Sequence, residues 1–200
     1  MNKLIFSSVK NLENFDFEKL SKELGIEAEH PESKKQWMED INDFSKKEKR
    51  VTILGSSSRM LFLKNIKISL IDRGFRGIII EQLPHFMYET PRQKVHSSLS
   101  NSKFVIADNC EPSGELLELE YCKNSGVVTA MITKKGERLA SWMSIDFHIH
   151  SKDFCIFDYE KEDLESVRKF VDEIISWVNK RCLERENDLN EVKKKYGYGS

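Results

Sequence analysis

The sequence has little of what a membrane protein or a general nucleic-acid binder requires. Of its 200 residues, 32 are Lys or Arg and 33 are Asp or Glu, so the formal net charge is only -1. Binding to nucleic acid in general needs a concentrated basic surface, and this balance argues against one. No apolar run approaches the length of about eighteen residues that a transmembrane helix requires, so a membrane span is not expected.

Cysteine is also scarce, and its spacing matches no common zinc or redox motif. The four cysteines are scattered along the chain and form no C-x-x-C pair. They predict reduced thiols in a cytoplasmic protein and argue against a structural zinc site, and we expect no cofactor. The first twenty residues carry a short apolar patch followed by acidic residues, which is a poor signal peptide.

One histidine pair raises the alternative of a metal site. His148 and His150 would lie on the same face of a strand, together with Asp146, if the segment "DFHIH" were extended. A metal site needs at least three ligands, which this set would provide. Ordinary polar residues near a strand produce the same spacing, and we favour that interpretation.

The N-terminal part of the chain predicts helices rather than strands. The segment "FDFEKLSKELGI" has Asp16 as a candidate N-cap and ends near Gly25. The segment "ESKKQWMEDINDFSKKEKR" places Trp37, Ile41 and Phe44 at helical spacing. Residues 1–48 are therefore predicted to form a helical N-terminal extension.

From Val51 onwards the pattern changes to alternating strands and helices. The apolar segments "VTILG", "FRGIIIE", "KFVIAD", "VVTAMIT" and "KDFCIFDY" predict about five strands, with amphipathic segments between them. Strands rich in Val and Ile without polar alternation are typical of a parallel sheet covered on both faces. We therefore predict an α/β core over residues 49–185, a flavodoxin-like doubly wound parallel sheet closed by a long C-terminal helix, and a flexible tail over residues 186–200.

In this class of fold, ligands bind at the carboxyl ends of the strands, which selects three loops. The first loop, "GSSSR", combines Gly55, where a backbone can approach a ligand closely, with the hydroxyls of Ser56 and Ser57 and the cation of Arg59. This combination suits an anion such as a phosphate. A serine-capped helix start is the alternative interpretation, and it explains the same residues.

The second and third loops carry aromatic and acidic side chains. In "EQLPHFMYETP", Phe86 and Tyr88 are placed either to stack on a nucleobase or cover the site, or to pack against a neighbouring helix. The third loop follows Asp108 and leads into a helix on which Glu118 shares a face with Cys122. A carboxylate on a partly apolar face is desolvated and needs a ligand or partner.

The stretch "SKFVIADNCEPSGELLELEYCKNSGVVTAMI" resembles the nucleoside 2-deoxyribosyltransferase superfamily, including its deoxynucleoside-phosphate N-glycosidase branch. In that family a strand with an acidic or polar end is followed by a Pro-Ser and Gly turn and a Glu-Leu-Gly helix. The resemblance aligns Glu118 with the catalytic glutamate of the family, places Ser113 near the 5′-phosphate, and aligns Gly114 with the turn. Glu120 stands at the glycine of the family's triplet. The stretch "GFRGIIIEQLP" resembles bacterial TIR-like nucleotide-binding proteins.

The resemblance implies cleavage of the C1′–N bond of a nucleotide, a deoxynucleotide or NAD. Glu118 would attack or stabilise the oxocarbenium-like state, and Asp108 would orient the ribose or the nucleophile. Glu81, His85 and Tyr88 are candidates for the acid that protonates the leaving base. The acceptor is left open between water and a second base, and family members that complete their sites across a dimer imply a possible homo-oligomer.

Two other functions fit the same pattern. The first is a non-catalytic nucleotide sensor on the same fold that signals through its helical extensions. The second is a helical interaction protein in which the α/β core is structural only. Fold class does not distinguish these alternatives from an enzyme.

Overall fold

The structure, a computed structural model, describes residues 44–83, 91–110, 115–137 and 142–198. Five strands form a single parallel sheet in the order β2-β1-β3-β4-β5. The strands are β1 Arg50–Leu54, β2 Arg76–Ile79, β3 Phe104–Asp108, β4 Val128–Lys134 and β5 Phe154–Tyr159. This strand order confirms the predicted flavodoxin-like, doubly wound α/β class.

Within the described residues, five α-helices connect and cover the strands. They are α1 Met60–Ile71, α2 Pro91–Ser100, α3 Glu115–Ser125, α4 Trp142–His150 and α5 Leu164–Lys195. The helix ends follow the glycine signals of the sequence, because Gly74 (φ 76°) and Gly126 (φ 64°) adopt the left-handed conformation after α1 and α3. The predicted long closing helix is present as α5, and it continues to Lys195, beyond residue 185 where the predicted core ends.

The two faces of the sheet pack against different helices. One face belongs to a core that includes Phe62, Ile66 and Leu70 of α1 and the apolar side of the first half of α5. The opposite face belongs to a second core that includes Val95, Leu99, Leu119, Cys122 and Phe147 of α2, α3 and α4. Because successive strand residues alternate between faces, Ile106 lies in the first core and its neighbours Val105 and Ala107 lie in the second.

The carboxyl ends of β1 and β3 lie side by side at the point where the strand order reverses. The register pairs Ile53 with Ile106 and Leu54 with Ala107, so the loop that begins at Gly55 emerges beside Asp108. Chains of this topology bind ligands at such a reversal, because the two loops diverge there and leave a crevice. The fold therefore brings the first and third predicted loops together.

Two further sequence expectations concern the N-terminal extension and the segment that contains His148 and His150. Residues 44–49 form a short 3-10 turn that leads into β1, while the remainder of the predicted N-terminal extension lies outside the described residues. The segment that contains His148 and His150 was considered as a strand, and that interpretation is wrong. It forms α4, where both side chains are exposed and His150 Nε2 lies 3.5 Å from Asp146 Oδ1. Three alternating positions are too short a pattern to distinguish a strand from a helix, and on a helix only Asp146 and His150, at i and i+4, are neighbours.

Two kinds of feature are absent from the described residues. Within residues 44–83, 91–110, 115–137 and 142–198, no helix combines the length and the apolar character that crossing a bilayer demands. In the same ranges, no group of three or more His, Cys, Asp or Glu side chains is arranged to hold a metal ion.

Candidate active site

The loop after β1 is shaped by a close approach between Gly55 and the neighbouring strand. A Cβ at position 55 would lie 2.8 Å from Leu63 Cδ2 and 3.1 Å from Asp108 Cβ. Only glycine fits here without displacing Leu63 or Asp108. Gly55 therefore lies directly against Leu63 and Asp108, and its close approach to a ligand stays a prediction.

The serines of this loop form a local hydrogen-bonded turn. Ser56 caps the short 3-10 segment Ser57–Arg59 by accepting a hydrogen bond from Ser58 N at 3.4 Å, and its Oγ lies 2.8 Å from Ser58 Oγ. Ser57 and Ser58 are exposed. The serine-capped helix start and the predicted anion site are compatible with this geometry, and phosphate binding stays a prediction.

Arg59 lies at the centre of a buried polar cluster on the α1 and α5 face of the sheet. Its Nε donates a hydrogen bond to Asp108 Oδ2, and its Nη2 donates one to Tyr159 Oη. Its Nη1 lies 3.2 Å from Glu162 Oε1. The Arg59 guanidinium also lies over the Phe62 ring, 4.8 Å from its centroid. The cation predicted to bind phosphate is therefore already held by internal partners.

Asp108 and Cys110 extend this cluster along the end of β3. Asp108 is 2% exposed, and its Oδ1 accepts a hydrogen bond from Cys110 N at 3.3 Å. Cys110 Sγ lies 3.2 Å from Tyr159 Oη. The ring of Tyr159 packs on Phe62 with centroids 4.7 Å apart. The five polar members of the cluster are Arg59, Asp108, Cys110, Tyr159 and Glu162.

Burial controls the protonation of this cluster. Burial raises the pKa of the Asp108 carboxyl, and the hydrogen bond from Arg59 opposes that rise. Burial also raises the pKa of the Cys110 thiol, and the nearby Asp108 carboxylate adds to the effect. Burial likewise raises the pKa of the Tyr159 phenol. The thiol and the phenol therefore stay protonated at neutral pH, and Cys110 is a poor nucleophile.

Glu118 lies on the opposite face of the sheet, in the first turn of α3. It is half-buried, between exposed Leu117 and fully buried Leu119. Burial raises the pKa of the Cys122 thiol to about 12, and the Glu118 carboxylate contributes to that rise. The carboxylate is therefore close to the buried side of α3. The structure places Asp108 and Glu118 at the same edge of the sheet but on different faces, so their predicted cooperation stays a prediction.

Two further polar side chains line the edge of the sheet on the Glu118 face. Asn109 is 2% exposed and Thr133 is 4% exposed. Within the described part of the chain, neither Asn109 Nδ2 nor Thr133 Oγ1 has a hydrogen-bond partner. An unpaired buried polar group costs about 1–3 kcal/mol, so a folded protein that keeps one needs a compensating use for it.

Several site residues escaped the sequence analysis for a common reason. Tyr159 is the last residue of β5, Glu162 follows that strand, and Thr133 is the penultimate residue of β4. The three loops selected from the sequence follow only the first three strands. The carboxyl-edge rule applied to all five strands would have found them. Asn109 and Cys110 stand beside Asp108 in the sequence, but nothing in a single sequence separates their roles. Tyr88, Ser113 and Gly114, like His85, lie outside the described residues.

Comparisons with known proteins give structural matches but no match by sequence. No family model matches the chain, and no curated protein matches it. A solved structure, the CMP N-glycosidase BcmB of Clostridium botulinum, is similar with a TM-score of 0.46 and 16% identity over 61% of this chain and 98% of that chain. The fold assignment rests on the strand order and register of this chain.

Proposed function

We propose that the chain is a nucleotide N-glycosidase that cleaves the C1′–N bond of a nucleotide with Glu118 as the reacting carboxylate. The observation that carries the proposal is the position of Glu118. It is a half-buried carboxylate in the first turn of the helix that follows β3, at the carboxyl edge of a doubly wound sheet. The resemblance of the surrounding stretch to glycosyl-transferring and glycosyl-hydrolysing enzymes supports the same role.

The chemistry follows from the charge that develops on the sugar. As the C1′–N bond breaks, its electron pair leaves with the base and positive charge grows on C1′ and the ring oxygen. A carboxylate below C1′ stabilises that charge or bonds to C1′ covalently. The base nitrogen takes up a proton, and water or a second base then bonds to C1′ and frees the carboxylate. Cleavage of the C1′–N bond and release of the base are the same whether water or a second base is the acceptor.

The rest of the site contributes binding in this proposal. The hydroxyls of Ser56 and Ser57, together with Ser113 and Gly114, would hold the 5′-phosphate, and Tyr88 would cover the base. Arg59 would act with Asp108 to fix the loop that carries these serines, since both side chains already bond to each other. No cofactor or metal ion takes part in this proposal.

The decisive experiment measures free base released from a panel of nucleotides, deoxynucleotides and NAD, with and without an acceptor base. Glu118→Gln should lower the rate by at least about a hundredfold while leaving nucleotide binding within a few fold. Glu120→Gln, on the same helix and also half-buried, is the matched control and should keep the wild-type rate.

Two outcomes contradict the proposal. Nucleotide binding without base release from any member of the panel would support the sensor instead. Equal rates for wild type and Glu118→Gln would remove Glu118 from the mechanism.

A further inference from the structure

Asn109 and Thr133 are direct neighbours on adjacent strands. The β3–β4 register pairs Asp108 with Ile132. Asn109 N donates to Ile132 O at 2.9 Å, which continues the parallel ladder by one position and sets Asn109 opposite Thr133. Neighbouring strands are about 5 Å apart, so the two side chains lie within reach of a single small group.

Both side chains point to the face that α3 covers. Along β3 and β4, Val105, Ala107 and Met131 belong to the core beneath α2, α3 and α4. Because side chains alternate between the two faces of a sheet, Asn109 lies on the same face as Val105 and Ala107, and Thr133 lies on the same face as Met131. Asp108, one residue away, points to the other face and into the Arg59 cluster.

Glu118 approaches the same place from the helix. Helix α3 starts after the carboxyl end of β3 and runs back across the sheet to β4, so its first turn lies at the carboxyl edge. Leu119 and Cys122 fix its buried side against the core that holds Ala107 and Met131. Side chains on a helix lean toward its N-terminus, which directs the Glu118 carboxylate toward that edge.

The chemistry of the pair suits a neutral hydroxyl group. Asn109 Nδ2 donates hydrogen bonds, and Thr133 Oγ1 both donates and accepts, so together they complement an alcohol that also donates and accepts. Neither side chain is charged. A phosphate would gain no charge neutralisation from this pair.

The position of Glu118 selects the hydroxyl. In a β-nucleotide the base lies above the sugar ring, and the 2′- and 3′-hydroxyls lie below it. A carboxylate that reacts at C1′ must approach from below, opposite the departing base. Side chains on the same face of the sheet as Glu118 therefore meet the lower face of the sugar ring. Of the two hydroxyls on that face, the 2′-hydroxyl is on the carbon next to C1′.

We propose that Asn109 and Thr133 bind the 2′-hydroxyl of the substrate, so that the site selects ribonucleotides over 2′-deoxyribonucleotides. This inference rests on the proposed N-glycosidase function. A 2′-deoxy substrate leaves both buried polar atoms unpaired, and a site built to hydrogen-bond a substrate hydroxyl rejects the analogue that lacks it.

The first test compares kcat/KM for base release from ribonucleotides and their 2′-deoxy counterparts. Wild type should prefer the ribonucleotide by at least about a hundredfold. Thr133→Val and Asn109→Leu, which keep side-chain shape, should each reduce that preference by about tenfold. Thr129→Val makes the same change four residues earlier on the same face, where the hydroxyl already donates to Val127 O at 3.0 Å, and it should leave the preference unchanged.

A second measurement separates ligand binding from a structural role. In the ligand-free protein Thr133→Val should leave the Tm unchanged or raise it, since it removes an unpaired buried hydroxyl. Thr129→Val should lower the Tm because it removes a made hydrogen bond. A fall in Tm for Thr133→Val as large as that for Thr129→Val would assign Thr133 to the fold and overturn the inference.

Failure of the inference is distinguishable from failure of the proposed function. Base release with a ribose preference that neither variant changes, or with a preference for 2′-deoxyribonucleotides, overturns the inference and leaves the function. If no nucleotide releases base, the function fails. Calorimetry then compares the binding of each ribonucleotide with that of its 2′-deoxy counterpart. Tighter binding of the ribonucleotide that weakens in both variants supports the role of Asn109 and Thr133. Equal binding of the two nucleotides by wild type rejects it.

Discussion

The guanidinium of Arg59 and the carboxylate of Asp108 join the loop after β1 to the end of β3, at the reversal of the strand order. Asp108 is almost fully buried, and the side chain of Arg59 is 14% exposed. Gly55 makes the contact possible by letting the loop lie against Asp108 Cβ. The pair therefore fixes the loop after β1 against the end of β3 on one face of the sheet, while Glu118, Asn109 and Thr133 lie on the other face.

Removing Arg59 should destabilise the protein in a pH-dependent manner. Arg59→Leu leaves the buried Asp108 carboxylate without its cation and should lower the free energy of unfolding by about 3 kcal/mol at pH 8. Burial raises the pKa of Asp108 in the folded state, and without Arg59 that rise is larger. A carboxyl with a raised folded pKa favours folding below its unfolded pKa of about 3.9 and loses that contribution as pH rises. The deficit should therefore shrink toward pH 4, as urea denaturation across pH can measure.

The matched control removes an arginine from an exposed ion pair. Arg168→Leu breaks the pair with Asp72, in which the two side chains are 46% and 41% exposed, and should cost no more than about 1 kcal/mol. Adding Asp108→Asn to Arg59→Leu should restore part of the lost stability at pH 8, since the buried charge is gone. A deficit for Arg59→Leu that does not change between pH 8 and pH 4 would contradict this account.

The sequence was sufficient to predict the five strands, their parallel arrangement and the helices between them. Long apolar runs such as "VTAMIT" and glycines such as Gly126 encode these elements locally. The polar partners were not predictable in the same way. The bonds from Arg59 to Asp108 and Tyr159 join residues 49 and 100 positions apart, and only the register of the sheet brings them together.

Face assignment at the edge of the sheet was the other element that sequence reasoning missed. Asp108 and Asn109 are adjacent, and the acidic residue attracted the catalytic interpretation. In the sheet they point to opposite sides, and the amide rather than the carboxylate shares a face with Glu118. The sequence of a strand end does not show which face of the sheet each side chain occupies, because a shift of one residue in register moves every side chain to the opposite face.

A side chain at position 55 should strain the loop through Leu63. Gly55→Ala brings a Cβ to 2.8 Å from Leu63 Cδ2 and 3.2 Å from its Cδ1, and should cost about 1–3 kcal/mol. In a Leu63→Ala background those atoms are absent, so the same glycine substitution should cost less. A double-mutant cycle by chemical denaturation measures the difference. Additive costs would mean that the contact with Asp108, rather than Leu63, limits position 55.

The N-cap of α5 should give a stability contribution that disappears in acid. Asp163 accepts hydrogen bonds from Ser166 N at 3.1 Å and Ser166 Oγ at 2.9 Å, and these bonds lower the pKa of the Asp163 carboxyl. A carboxyl with a lowered folded pKa stabilises the protein above its unfolded pKa and loses that contribution as pH falls through the folded pKa. Asp163→Ala should therefore lower the Tm by about 2–4 °C at pH 7 and by much less near pH 3. Asp163→Asn, which can still cap the helix while uncharged, should keep most of the Tm and lose the pH dependence. If Asp163→Ala and wild type melt together at pH 7, Asp163 does not stabilise the first turn of α5, and the long helix is held by its packing on the sheet alone.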